Sequence, residues 1–157
     1  MKKNLGRTLL GLGALFVITL APSHAQAACS NASTAGNWAY TYTGTIFTPN
    51  GALPAASVGH FKLDLSGNLS GAQTRSVAGQ SGPEDISGTI SVNSDCTATA
   101  TVNVLVDRQL LRTAAIALVF DSQGNHVRGI FQSLTLPDGT SIPVVLTIDG
   151  SRVTSRQ

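Results

Sequence analysis

Charge is what this 157-residue sequence has least of: Asp, Glu, Lys and Arg together make up 11% of it. That is under half the usual share and excludes a charge-rich disordered chain or a nucleic-acid-binding tail. Catalytic side chains are also scarce, with three histidines, two cysteines, one glutamate and seven aspartates. There is no Gly-x-Ser-x-Gly elbow and no phosphate-binding loop, so the common hydrolase and nucleotide chemistries lack their residues. No cofactor motif occurs, and none is expected. After the N-terminal segment, no apolar stretch approaches the 18 residues that a membrane-spanning helix needs.

The N-terminal segment reads as an address. Lys2, Lys3 and Arg7 precede a twelve-residue apolar run, Leu9 to Leu20, then Pro22 and the small residues Ala25 and Ala27. This is the pattern of a secretory signal peptide cleaved after Ala27. The expected organisation is therefore a signal over 1–27 and one domain over 28–157, secreted or periplasmic, with no membrane attachment after cleavage. Residues 28–157 keep seven of the ten Lys and Arg against all eight Asp and Glu, so the charge falls from +2 to 7 − 8 = −1. No basic footprint for nucleic acid survives. In an oxidising compartment, two cysteines pair by default, Cys29 with Cys96; an intermolecular bridge or free thiols are the alternatives.

From Gly36 onward, Thr, Val, Ile and aromatic residues alternate with polar ones, and Gly, Asn, Asp or Pro punctuates every eight to twelve residues. Strands are expected at about 37–47, 58–65, 68–77, 85–92, 96–106, 109–121, 126–135 and 141–149. Hairpin-length connections favour an eight-stranded antiparallel up-and-down β-barrel over a two-sheet sandwich, because closure leaves no exposed edge. Two longer loops, Thr48–Ser57 and Ala78–Glu84, are expected at one end. Cys29 and Cys96 fall at the other, where a bridge would clasp the barrel.

Trp38, Tyr40 and Tyr42 alternate and share one face of the first strand. Either they fill the barrel or, with Phe61 and Phe131, they line a ligand pocket. Ala98, Ala100, Val102 and Val104 form a small-residue face opposite, which suits either complementary packing or a cavity. The strand at 109–121 is apolar on both faces. Ala115, Ala117 and Val119 fall on one side and Ile116, Leu118 and Phe120 on the other, so whichever faces outward is a candidate surface for self-association. His60, Lys62 and Asp64 read as a solvated outer face, since the His and the carboxylate would stand roughly 13 Å apart along the strand. Glu84 and Asp85 are adjacent and point to opposite faces, which spoils them as an acid–base pair. No metal site is expected, because one of the three histidines lies in the signal.

Gly36-Asn37-Trp38 matches the Gly-x-Trp signature that opens lipocalins. The chain over about 36–149 resembles the calycin-type barrels: lipocalins, avidins and the allene oxide cyclase barrel. It is most similar to small secreted bacterial barrel proteins of uncharacterised function, through Val58-Gly59-x-Phe61, Gly67-Asn68, Gly71-x-x-Thr74 and Gly88-Thr89-x-x-Val92-Asn93-x-Asp95-Cys96. It departs from lipocalins in lacking their Thr-Asp-Tyr motif. The resemblance implies a lipocalin-like barrel that binds a small apolar ligand in its interior. The alternatives are a non-catalytic structural or interaction domain with a filled barrel, and an allene oxide cyclase-type isomerase, whose catalytic residues have no match here.

Overall fold

A computed structural model describes residues 29–153; the expected signal peptide lies outside them. A single helical turn, α1 (Asn31–Thr34), precedes eight strands: β1 (Gly36–Thr48), β2 (Gly51–Leu63), β3 (Asn68–Val77), β4 (Gln80–Val92), β5 (Thr97–Val106), β6 (Gln109–Phe120), β7 (His126–Thr135) and β8 (Val144–Arg152). Each strand pairs antiparallel with the next, and β8 pairs back onto β1, so the sheet is a closed up-and-down barrel. Every strand has two neighbours, so the barrel has no free edge to pair with another chain.

Burial follows the period of two that a barrel requires. Along β1, Trp38, Tyr40, Tyr42 and Ile46 are buried while Ala39, Thr41 and Thr43 are exposed. Along β5, Ala98, Ala100 and Val104 are buried beside the half-buried Val102. The ambiguous strand β6 turns its larger residues inward: Ile116, Leu118 and Phe120 are buried, with Ala114 on the same face. Ala115, Ala117 and Val119 form its outer face, and Val119 is more than half exposed. The larger residues win the interior because burying them removes more apolar area from water.

The two long loops expected at one end are not loops. β1 and β2 pair through to Thr48↔Gly51, and β3 and β4 through to Val77↔Gln80, so Pro49-Asn50 and Ala78-Gly79 are two-residue turns. The prolines inside β2 and β4, Pro54 and Pro83, sit where a strand tolerates them. Ala78 N–H donates to the Pro54 carbonyl (2.9 Å), so the absent Pro54 N–H faces a neighbour whose ladder has already ended. Pro83 lies two residues before the β4–β5 ladder begins at Asp85. The longest connection at this end is instead β7–β8, pinned by an isolated Thr135↔Ser141 bridge.

At the opposite end α1 and the bridge close the barrel. Cys29 and Cys96 are joined, with their Cα atoms 4.9 Å apart. Ser30 caps α1 in a reciprocal box with Ser33. Asn31 ties the turn to the rim by donating to the Ser66 carbonyl (3.3 Å) and accepting from Val92 N–H (2.9 Å). The aspartates at the barrel's turns are spent on backbone: Asp64, Asp95, Asp121 and Asp138 each accept from an N–H two to four residues ahead. Asp64-Leu65-Ser66-Gly67-Asn68 and Asp121-Ser122-Gln123-Gly124-Asn125 thus share one turn chemistry.

Candidate functional site

The barrel is not packed solid. It holds an internal cavity of about 60 Å3. The walls are mainly apolar, from Ile46 and Phe61 through Ile86, Ile90 and Ala100 to Phe120, Leu134 and Leu146. The small residues of β5 leave room that the aromatic residues of β1 do not fill.

Of the five residues expected to line a pocket, Tyr40, Tyr42, Phe61 and Phe131 are on the cavity wall. Tyr42 and Phe131 meet edge to face at 5.3 Å, and Tyr40 tilts against Phe61 at 5.7 Å. Trp38 takes another position. It lies beneath the cavity as the floor of the closed end, fully buried, stacked on Phe61 (6.1 Å) and edge-on to Phe120 (5.4 Å). Its indole N–H donates to the Thr34 carbonyl (3.0 Å), which locks the floor to α1. Arg152 lies over the same ring at 5.4 Å. The Arg152 guanidinium also donates to the carbonyls of Ser33 (2.7 Å), Ala35 (2.7 Å) and Gly124 (2.8 Å), joining α1, the β6–β7 turn and the floor through one side chain.

One side of the cavity is polar, and sequence reading did not anticipate it. Gln73, Glu84 and Arg112 face inward and are buried, as is Ser57; Arg75 is partly buried above them. Arg112 grips Glu84 with both terminal nitrogens, Nη1 on Oε1 at 2.9 Å and Nη2 on Oε2. Gln73 Nε2 donates to Glu84 Oε2 (2.6 Å), and Arg75 Nη1 to Oε1 (3.2 Å). Gln73 Oε1 in turn accepts from the Tyr40 hydroxyl (2.7 Å) and from Ser57 (3.1 Å). Gly59 makes the first of these contacts feasible: a Cβ there would stand 2.9 Å from Tyr40 Cε1.

Burial by itself pushes the Glu84 carboxyl up. The Arg112 hydrogen bonds and charge outweigh it, helped by Gln73 and Arg75, and hold the group below the ordinary glutamate range. Glu84 is therefore ionised. Burial raises both Tyr40 and Tyr42, which keeps the two phenols protonated as donors. At Tyr42 the positive charges of Arg75 and Arg112 oppose that rise without cancelling it. The network thus runs across the wall from β1 through β2, β3 and β4 to β6.

The polar signal was present in the alternation. Glu84 shares its face with Ile86 and Ile90, and Arg112 shares its face with Ala114, Ile116 and Leu118. The remaining titratable groups lie outside: His60, Lys62 and Asp64 are exposed, and His126 meets Asp149 (3.0 Å) on the outer surface. Among the described residues no three His, Cys, Asp or Glu side chains gather as metal ligands.

The fold has counterparts among solved structures. The chain is similar to EF1p2_mFAP2b bound to DFHBI, with 14% identity and a TM-score of 0.51 over 77% of this chain and 94% of that one. The likeness is one of fold, a closed antiparallel barrel. The S-type phycobiliprotein lyase CPES from Guillardia theta is more distant, with 8% identity and a TM-score of 0.43 over 83% of this chain and 97% of that one. No protein-family profile and no curated protein matches the chain.

Proposed function

We propose that the chain is an exported barrel that binds a small, largely apolar molecule in its interior. Tyr40, Tyr42, Phe61 and Phe131 are the aromatic contacts, and Trp38 is the floor beneath them. The observation that carries this reading is the cavity: a concave, mainly apolar space with a few convergent polar groups is the usual form of a small-molecule site. The likeness in fold to EF1p2_mFAP2b, a protein recorded bound to DFHBI, supports it. The Cys29–Cys96 bridge and the signal-like residues 1–27 support residence outside the cytoplasm, either secreted or periplasmic.

The alternative of an allene oxide cyclase-type isomerase rests on the resemblance alone; Glu84, the buried carboxylate beside the cavity among the described residues, is already held by Arg112, Gln73 and Arg75. Self-association through 109–121 would have to use the outer face of Ala115, Ala117 and Val119, since the larger residues point inward.

Native mass spectrometry of the precursor, expressed with export and purified without detergent, tests the reading. A small molecule released on denaturation is expected, together with cleavage after Ala27. A bare chain that also fails to change its Trp38 emission with any member of an apolar small-molecule panel would leave a filled structural barrel instead. The same spectrum reports any dimer.

A further inference from the structure

The room inside the barrel traces to two alanines set among larger side chains. Across the sheet, Ala100 lies between Ile90 and Ile116, and Ala114 lies between Val102 and Leu134. Both alanines are buried and on the cavity wall, and each leaves a gap that its neighbours do not fill. The polar wall beside them is closed on itself: among the described residues, no buried side-chain nitrogen or oxygen lacks a hydrogen-bond partner. A polar guest would give up its hydrogen bonds to water and find few replacements, which disfavours it. Volume sets a second limit. An apolar cavity of about 150 Å3 takes benzene, roughly 25 Å3 for each non-hydrogen atom. On that scale about 60 Å3 accommodates about two or three such atoms. Anything larger must push close-packed side chains away from their preferred rotamers.

We infer that the ligand is compact as well as apolar, an uncharged molecule of about three non-hydrogen atoms seated against Ala100 and Ala114, and that these two alanines set its size. The inference rests on the binding reading proposed above and adds a size limit and a seat. It excludes extended chains and six-membered rings from the parent barrel, and it gives the Arg112–Glu84 pair a structural part in the wall rather than a part in holding the ligand.

The test dissolves xenon, propane and benzene in turn into solutions of the exported chain and follows the methyl NMR signals of Ala100, Ala114 and Ile116. Circular dichroism checks that each variant keeps the strands of the parent. Xenon and propane should shift these signals saturably in the parent, and benzene should not. Ala100→Val puts two more carbons into the gap and should weaken xenon and propane at least about tenfold, read at Ala114 and Ile116. Ile90→Ala removes three carbons beside the same gap and should admit benzene. Benzene binding at these methyls in the parent, or undiminished xenon and propane binding in Ala100→Val, would overturn the size limit and leave the binding reading standing. No methyl response to xenon or propane in the parent would overturn the inference too. If the apolar panel then also leaves Trp38 emission unchanged, the binding reading falls with it.

Discussion

The two ends of the barrel are built on different principles. The closed end is cross-linked: a disulfide, a capped helical turn, an asparagine and an arginine tie α1 to three rim turns and to the buried Trp38. The open end is local: β1–β2 and β3–β4 finish in two-residue turns, each held mainly by its own hairpin. A barrel with this asymmetry is anchored at one end and can admit a guest at the other. Stability and access are thereby assigned to different residues.

The strongest way to break the asymmetry is to remove the bridge. Replacing Cys29 and Cys96 by alanine frees a closure that spans 67 residues of sequence. In the chain-entropy account this costs about 4 kcal/mol, readable as a lower urea midpoint. The barrel strands should refold unchanged, because their ladders do not depend on the bridge.

The next largest effect lies between the ends, at the polar wall. Arg112→Leu leaves Glu84 buried without its main partner and should cost about 3 kcal/mol at neutral pH. Its pH dependence is the sharper test. In the parent chain Glu84 is depressed below its unfolded value, so its contribution is present above the ordinary glutamate pKa of about 4.3 and is lost as pH falls through the folded value. Without Arg112, burial dominates and raises the folded value. The variant should then recover part of its deficit as pH falls toward 4 and Glu84 is protonated. A deficit independent of pH would mean that lost packing, not the orphaned carboxylate, is responsible.

Most of the fold was legible in the sequence because a closed barrel leaves a period of two on every strand and a turn signal between each pair. Trp38, Tyr40 and Tyr42, and Ala98 to Val104, point inward as alternation requires. β6 could not be resolved that way. Both of its faces are apolar, and only the neighbouring strands decide which one the barrel encloses. That ambiguity hid Arg112, since its side is settled only with that of Ile116 and Leu118. Glu84 was hidden differently: a carboxylate pair next to Pro83 suggests a solvated loop, and the inward partners of Glu84 lie on other strands, β3 and β6. Local pattern can place an apolar face, but a buried ion pair depends on register across the sheet.

Arg152→Met tests the closed end more gently. The thioether can still cover the Trp38 ring but cannot reach the carbonyls of Ser33, Ala35 and Gly124. A loss of about 2 kcal/mol is expected, with α1 amides exchanging faster than those of β1. Uniform acceleration around the barrel would mean that the floor and the strands open as one unit.

The smallest effect should come from the open end, and a matched pair of glycines isolates why. Gly79 in the β3–β4 turn and Gly67 in the β2–β3 turn have nearly the same φ, +85° and +91°. Alanine pays the same left-handed cost at both, about 1 kcal/mol. At Gly79 nothing lies within 4 Å of the new Cβ, so that cost should be the whole effect. At Gly67 the Cβ would stand 2.3 Å from the Ile90 carbonyl oxygen and 2.6 Å from Asn31 Nδ2, atoms that belong to the rim and to α1. Gly67→Ala must therefore also displace the seam between α1 and the barrel, and its denaturation midpoint should fall well below that of Gly79→Ala. Equal midpoints would mean that the closed end yields as readily as the open one, and the division between anchor and entrance would not hold.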